Sequence, residues 1–169
     1  MADRFAYYPG CSLTHTAAPY DLSTRAIAPV LGMDLVEIDD WNCCGATEYI
    51  ALHRPAAYAL IARNLALAEQ QFARPTNGSA APRTQLLAPC SACFLNLSKA
   101  DHYMSEYPDL DRSANTALAA GGLHYTPGSL QVRHLVDAVV NGVGLDAIKA
   151  KVVKPLSGLR VACYYGCLI

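Results

Sequence analysis

The sequence is short of charge and of any long run that would name a partner. Of its 169 residues, Lys and Arg number 13 and Asp and Glu 14, for a net charge of −1. No basic run is long enough to track a phosphate backbone, so nucleic acid is not an expected partner. No stretch of about 18 apolar residues occurs, and no membrane-spanning helix is expected. The opening Met-Ala-Asp-Arg-Phe lacks the charged-then-apolar pattern of a secretory signal. The cytoplasm is therefore the expected compartment, where thiols stay reduced.

More than half the residues are hydrophobic (53%), enough for one folded domain with a core of its own. Seven cysteines stand out, at positions 11, 43, 44, 90, 93, 163 and 167. Disulfide pairing would leave one over, and a chain with this much apolar surface to bury does not need such staples. Cysteines clustered in this way are expected to be ligands or redox groups.

Along the chain, residues 5–8 read as a strand that stops at Pro9-Gly10-Cys11. Residues 17–31 carry helical periodicity, with Pro19 near the start and Gly32 at the end. Residues 33–38 read as a second strand leading through Asp39-Asp40-Trp41-Asn42 to Cys43-Cys44-Gly45. Residues 53–72, rich in Ala and Leu, read as a helix, and 74–83 as a surface loop. Residues 85–88 read as a third strand that runs straight into Pro89-Cys90. Helices are expected over 94–107, 132–140 and 145–152, a mobile connection over 109–126, and a fourth strand over 159–165. Strand–helix alternation predicts an α/β fold: a small parallel sheet with crossover helices. Each cysteine group follows a strand, and sites in such sheets gather outside the carboxyl ends of strands. Three distant segments are thereby expected to meet at one sheet edge.

The ligand spacing is Cys11, 31 residues, Cys43-Cys44-Gly45, 44 residues, and Cys90-x-x-Cys93. Cys-x-x-Cys sets two sulfurs on one side of a turn, within reach of one metal or one cluster edge. When the turn opens a helix, unpaired N–H groups and the helix dipole favour thiolate. Vicinal cysteines have α-carbons about 3.8 Å apart, yet their side chains diverge. They suit an extended cluster, touching different irons, better than one tetrahedral ion. Gly45 lets the backbone turn sharply beside them. Five sulfurs exceed the four of an ordinary cubane, so either one is spare or the cluster is not an ordinary cubane. Spacing leaves both open. A zinc site using Cys90, Cys93, Cys11 and one of the vicinal pair is the alternative cofactor reading, but it leaves a fifth thiol idle. A thioredoxin-like Cys90–Cys93 disulfide would explain neither Cys11 nor the Cys43-Cys44 pair.

Tyr-Tyr-Pro-Gly-Cys, a distant Cys-Cys-Gly and then Pro-Cys-x-x-Cys together resemble the cysteine-rich CCG domain. That domain occurs twice in the B subunit of heterodisulfide reductase and in related subunits of bacterial oxidoreductases. The resemblance implies that Cys11, Cys43, Cys44, Cys90 and Cys93 hold a noncubane 4Fe-4S cluster. The gap between Cys44 and Cys90 is longer than the family pattern, and the polar segment 74–83 can hold the extra length at little cost. Tyr164-Tyr165-Gly166-Cys167 echoes Tyr7-Tyr8-Pro9-Gly10-Cys11. By that match Cys167 would begin the ligand set of a second, incomplete site. Residues 1–155 are then a first domain and 156–169 the start of a second, so the chain is expected to be the front part of a longer protein. Cys163 has no counterpart and reads as a spare thiol.

The resemblance further implies an enzyme subunit that reduces or forms a disulfide on a small thiol cofactor or carrier. It implies as partners a ferredoxin-like iron–sulfur subunit and a flavoprotein. The alternatives are an electron-transfer subunit of a flavin-linked organic-acid dehydrogenase and a zinc-stabilised interaction module. Among the remaining polar residues, His15 is expected at a helix start and His134 in a helix with a satisfied ring. Tyr7, Tyr8, Tyr164 and Tyr165 are expected to pack the sheet edge, and Trp41 to cover the Cys43-Cys44 turn. Asp39 and Asp40 are expected to cap or solvate a turn.

Overall fold

The computed structural model describes residues 3–46, 49–72 and 83–163. Four strands, β1 (Asp3–Tyr7), β2 (Met33–Glu37), β3 (Thr84–Ala88) and β4 (Leu130–His134), form a parallel sheet in the order β2-β1-β3-β4. A sheet covered on both faces needs apolar residues at consecutive strand positions. In β1, Phe5, Ala6 and Tyr7 are all buried, and Tyr8 beyond it is fully buried too. The two-residue period sends Phe5, Tyr7 and Leu87 to one face and Ala6, Tyr8, Leu86 and Ala88 to the other.

The first face is covered by α2 (Ala18–Val30), through Ala28, and by Leu135 and Ala138. The second carries α4 (Arg54–Phe72), α5 (Ser91–Glu106) and α6 (Pro108–Ala119). Short helical turns α1 (Gly10–Leu13) and α3 (Tyr49–Leu52) follow the first two strands. After β4 come α7 (Leu135–Asp137), a π-helical stretch (Ala138–Gly144) and α8 (Leu145–Lys151). β1 neighbours both β2 and β3, so the chain leaves it in opposite directions across the sheet. The crevice of such a switch point opens beyond the carboxyl ends of β1 and β3. Those ends carry Gly10-Cys11 and Pro89-Cys90.

The α/β fold and the first three strands match the sequence expectation; three later assignments differ. Residues 109–126 are not a mobile connection. Pro108 occupies the first turn of α6 with Asp109 and Asp111, where proline is tolerated and negative charge favoured. Ala114 and Leu118 bury against the core, and Asn115 clamps Tyr125 through both its N–H and C=O. The fourth strand is β4, not 159–165. Residues 130–134 alternate with Leu130, Val132 and His134 on one side, and pair with β3 from Thr84↔Leu130 to Ala88↔His134. The apolar positions 132, 135, 136, 139 and 140 also satisfy a helical period, but the pairing edge of β3 decides the first of them. Helix begins only at Leu135. Residues 159–163 are irregular and exposed, whereas 164 and 165 lie outside the described residues, as do Cys167 and positions 74–82 of the expected loop.

Candidate metal centre

Each cysteine is delivered by the end of a strand. β1 ends at Tyr7, and Pro9-Gly10 turn the chain so that Cys11 opens α1. Gly10 has φ +73°, and a Cβ there would lie 2.7 Å from Cys93 Sγ. No other residue leaves that sulfur its space. Cys43 and Cys44 follow β2 after Asp40, itself at φ 58°, and Gly45 turns at φ +65°. Cys90 is the N-cap of α5 and Cys93 lies in its first turn.

The sulfurs pair across segments. Cys11 Sγ is 3.5 Å from Cys43 Sγ, and Cys44 Sγ is 3.3 Å from Cys93 Sγ. The vicinal cysteines therefore point to different partners, one toward the exposed pair and one into the buried pair. Cys90, at the head of α5, influences both Cys93 and Cys44 electrostatically, and Cys11 senses Cys44. Two sulfur pairs drawn from three distant segments of sequence are thus formed, with Cys90 beside the buried one. Among the described residues, no three His, Cys, Asp or Glu side chains converge as a single-ion site.

The thiols are electrically unequal. The neighbouring Cys93 lowers Cys90 to about 5 against the opposing cost of burial, with help from the N–H groups of Cys93 and Ala92. Cys44 is lowered, first by its hydrogen bond with Cys93. Cys93 is driven strongly upward by its neighbours Cys44 and Cys90 and by desolvation. Cys11 is raised by burial and by Cys43. Several thiolates crowded together without a counter-charge favour keeping protons on some of them. A bound cation or cluster core would relieve that crowding.

Around the sulfurs the chain supplies cover and anchors. Tyr8 donates its O–H to Asn42 O at 2.7 Å and meets Trp41 edge to face at 5.4 Å. Its phenol is pushed up by burial and then by Cys44, Cys93, Cys43 and Cys11, which places it beside four of the five sulfurs. Trp41 packs on Tyr8 and donates to Glu37. Tyr7 instead turns to the other face, donating to Asp21 at 2.5 Å beneath Arg25. Asp40 pairs with Arg63, and the Asp39 backbone is held by Gln71, so both serve the turn. His15 lies at the exposed end of α1, its Nδ1 3.1 Å from Cys11 O rather than against a sulfur.

Three asparagines were not singled out by the sequence. Asn96 donates to Cys44 O at 3.1 Å, Asn64 accepts from the Asn42 N–H at 2.9 Å, and Asn42 reaches Leu60 O. They pin the Cys43-Cys44 turn to α5 and α4. The available signal was a lone amide at a buried phase of an Ala/Leu helix, as at Asn64 between Ala62 and Leu65. Asn64 Nδ2 is buried and has no partner among the described residues. Cys163 is exposed in the irregular segment.

The donor set fits a multi-iron core. Two thiolates held tetrahedrally by one metal at about 2.3 Å lie about 3.8 Å apart, close to the observed pair spacings. Sulfur pairs drawn from three segments, with no Cβ at Gly10 to crowd Cys93, suit a sulfide-rich group.

The chain is similar to several known proteins. A family model described as a cysteine-rich domain, CCG, matches residues 5–98. The 8-methylmenaquinol:fumarate reductase membrane anchor subunit of Wolinella succinogenes is 39% identical over 99% of this chain and 53% of its own length. A protein of Archaeoglobus profundus, named as like the B subunit of heterodisulfide reductase, is 29% identical over 97% of this chain and 51% of its own. The B subunit of the ferredoxin/F420H2-dependent CoB–CoM heterodisulfide reductase of Methanosarcina acetivorans is 24% identical, with the same coverage. The chain spans about half the length of these relatives. A hypothetical protein from Helicobacter pylori shares the fold, with a TM-score of 0.61 over 77% of this chain and 24% of its own, at 17% identity.

Proposed function

Because the chain belongs to the cysteine-rich CCG domain family, we propose that Cys11, Cys43, Cys44, Cys90 and Cys93 bind one noncubane 4Fe-4S cluster, in the iron–sulfur subunit of an oxidoreductase complex. The observation that carries this is the divergence of the vicinal pair, Cys43 toward Cys11 and Cys44 toward Cys93. Adjacent sulfurs facing different partners suit a core with separated irons and suit one zinc ion poorly.

When bound, the cluster supplies one-electron transfer. The chain's own residues hold it and control access to it. Tyr8, Trp41 and the buried Cys44 and Cys93 keep water from the inner side, while Cys11 and Cys43 are exposed and Cys90 half-buried. A substrate would therefore approach on the outer side. The favoured substrate is a disulfide on a small thiol cofactor or carrier. Its cleavage to two thiols consumes two electrons and two protons, which one-electron carriers deliver in two steps. The two relatives named for heterodisulfide reductase support this reading.

A second reading has its own support: the Wolinella relative is named for a quinol:fumarate reductase. The same domain would there relay electrons between a quinone pool and a flavoprotein acting on a small organic acid. Both readings use a flavoprotein and a ferredoxin-like subunit as partners. No helix among the described residues is long and apolar enough to cross a membrane, and we propose a cytoplasmic location. Residues 156–169 would open a second CCG domain headed by Cys167, a proposal supported by the half-length match to the relatives.

The test is anaerobic reconstitution with iron and sulfide, then paramagnetic resonance of the wild type, Cys43→Ser and Cys44→Ser. Each substitution is expected to change the signal. Stoichiometric zinc without iron, or a signal untouched by one of the two variants, would sink the reading. In the full-length protein, disulfide-dependent oxidation of the reduced cluster separates the first reading from the second, which predicts oxidation by a quinone.

A further inference from the structure

The carboxyl ends of three strands carry the cysteines; the fourth carries a histidine. His134 ends β4, is 9% exposed, and belongs to no cysteine motif. Its position follows from the register: Ala88↔His134 aligns it with the residue just before Pro89-Cys90. Phe94 of α5 meets the ring edge to face at 5.7 Å. The Val136 N–H donates to Nδ1 at 3.2 Å, making His134 the N-cap of α7. A backbone N–H can only donate, so Nδ1 carries no proton, and the neutral ring must hold its hydrogen on Nε2. Nε2 faces Ser91 Oγ at 3.5 Å, at the outer limit for a hydrogen bond. Ser91 follows Cys90 in the chain, and the Ala88↔His134 register sets the ring beside the turn that carries Cys90. With Nε2–H directed at its oxygen, Ser91 keeps its own hydroxyl hydrogen free to donate.

We propose that His134 and Ser91 are positioning residues that form a hydrogen-bond donor relay toward the Cys90 side of the metal centre, fixed by the Nε2–H tautomer of His134. The role rests on the cluster reading above and uses the neutral ring, with no proton transfer. A donor aimed at a ligand sulfur withdraws electron density from it and stabilises the reduced cluster. The relay therefore raises the reduction potential. Cys90 is the half-buried ligand on the outer side, so the relay acts where a substrate sulfur would approach.

The experiment has one metal-free and one metal-loaded arm. His134→Asn keeps an N-cap acceptor for the Val136 N–H but is too short to reach Ser91; Ser91→Ala removes the other member. In the reduced, metal-free chain, nitrogen-15 NMR of the imidazoles is expected to show His134 as the Nε2–H tautomer, with its Nε2–H resonance displaced in Ser91→Ala. In the reconstituted chain, pulsed paramagnetic resonance with nitrogen-15 histidine is expected to show a weak coupling that His134→Asn abolishes. Both variants are expected to move the midpoint potential more negative, and the double variant no further than the larger single shift. An Nδ1–H tautomer, or an unchanged potential and coupling in both variants, overturns the proposal. A wild-type chain that takes up no iron sinks the cluster reading instead, and the NMR arm then decides the tautomer and relay alone.

Discussion

Gly10 shows how one missing side chain makes room for chemistry. It sits at φ +73°, and an added Cβ would come 2.7 Å from Cys93 Sγ, so Gly10→Ala is penalised by both backbone and contact. The expected loss is about 1–3 kcal/mol, read as a lower thermal midpoint, with iron uptake falling far more than stability. Gly45, equally left-handed but with only Tyr49 near at 3.9 Å, should tolerate alanine better in loading. Equal loading losses at both glycines would refute the crowding argument. Asn96 offers a different residue-scale test. Removing it as Asn96→Ala leaves Cys44 O buried without its donor, at a cost of about 1–3 kcal/mol by chemical denaturation. The Gly10 turn and the meeting of Cys11 with Cys43 and of Cys44 with Cys93 were legible from sequence because each group follows turn residues that punctuate a strand. The asparagines were not, since an amide in a helix is as often a solvated residue as a buried anchor.

Among the elements, α6 departs most clearly from expectation. Leu118→Ala is expected to cost about 2–4 kcal/mol, and the hydrogen-bonded amides in the later turns of α6 should exchange as slowly as those of α5. Fast exchange across α6 would restore the reading of a mobile connection. Its helical signals were present: proline at the first turn, acids beside it, Ala114 and Leu118 one turn apart. They were masked by Asp, Ser, Asn and Thr at the other positions, whose polarity on the outer face is indistinguishable from a loop until the partner helix is known. β4 failed for the opposite reason. Leu130, Val132 and His134 alternate for only five residues, and the helical pattern that follows overruns them. Strand identity there was set by the edge of β3, a long-range partner that no local window contains. β1, β2 and β3 were legible because each ends in a Pro/Gly or Asp-rich turn, so punctuation located them without knowledge of the sheet.

At the scale of the molecule, the sheet brings three distant segments together, and the described residues beyond α8 supply none of the five sulfurs. The described residues 152–163 are exposed and irregular. Removal of residues 156–169 is expected to change stability by no more than about 0.5 kcal/mol and to leave iron content per chain unaltered. A large loss of either would mean that 156–169 completes the first domain instead of opening a second. The four-stranded order also explains why the proposed ligands gather at one edge: they follow the ends of β1, β2 and β3, so the sheet supports them from below.

The sulfur pairs carry a practical consequence. Thiols resting 3.3 and 3.5 Å apart need only close to about 2.05 Å to become covalent, and oxygen can accept the two electrons and two protons that each such closure releases. A preparation made in air should therefore arrive lighter by about 4 mass units, the loss of four hydrogens in two bridges, Cys11–Cys43 and Cys44–Cys93. Such a sample would refuse iron until treated with a dithiol reductant, and its emptiness would reflect handling rather than design.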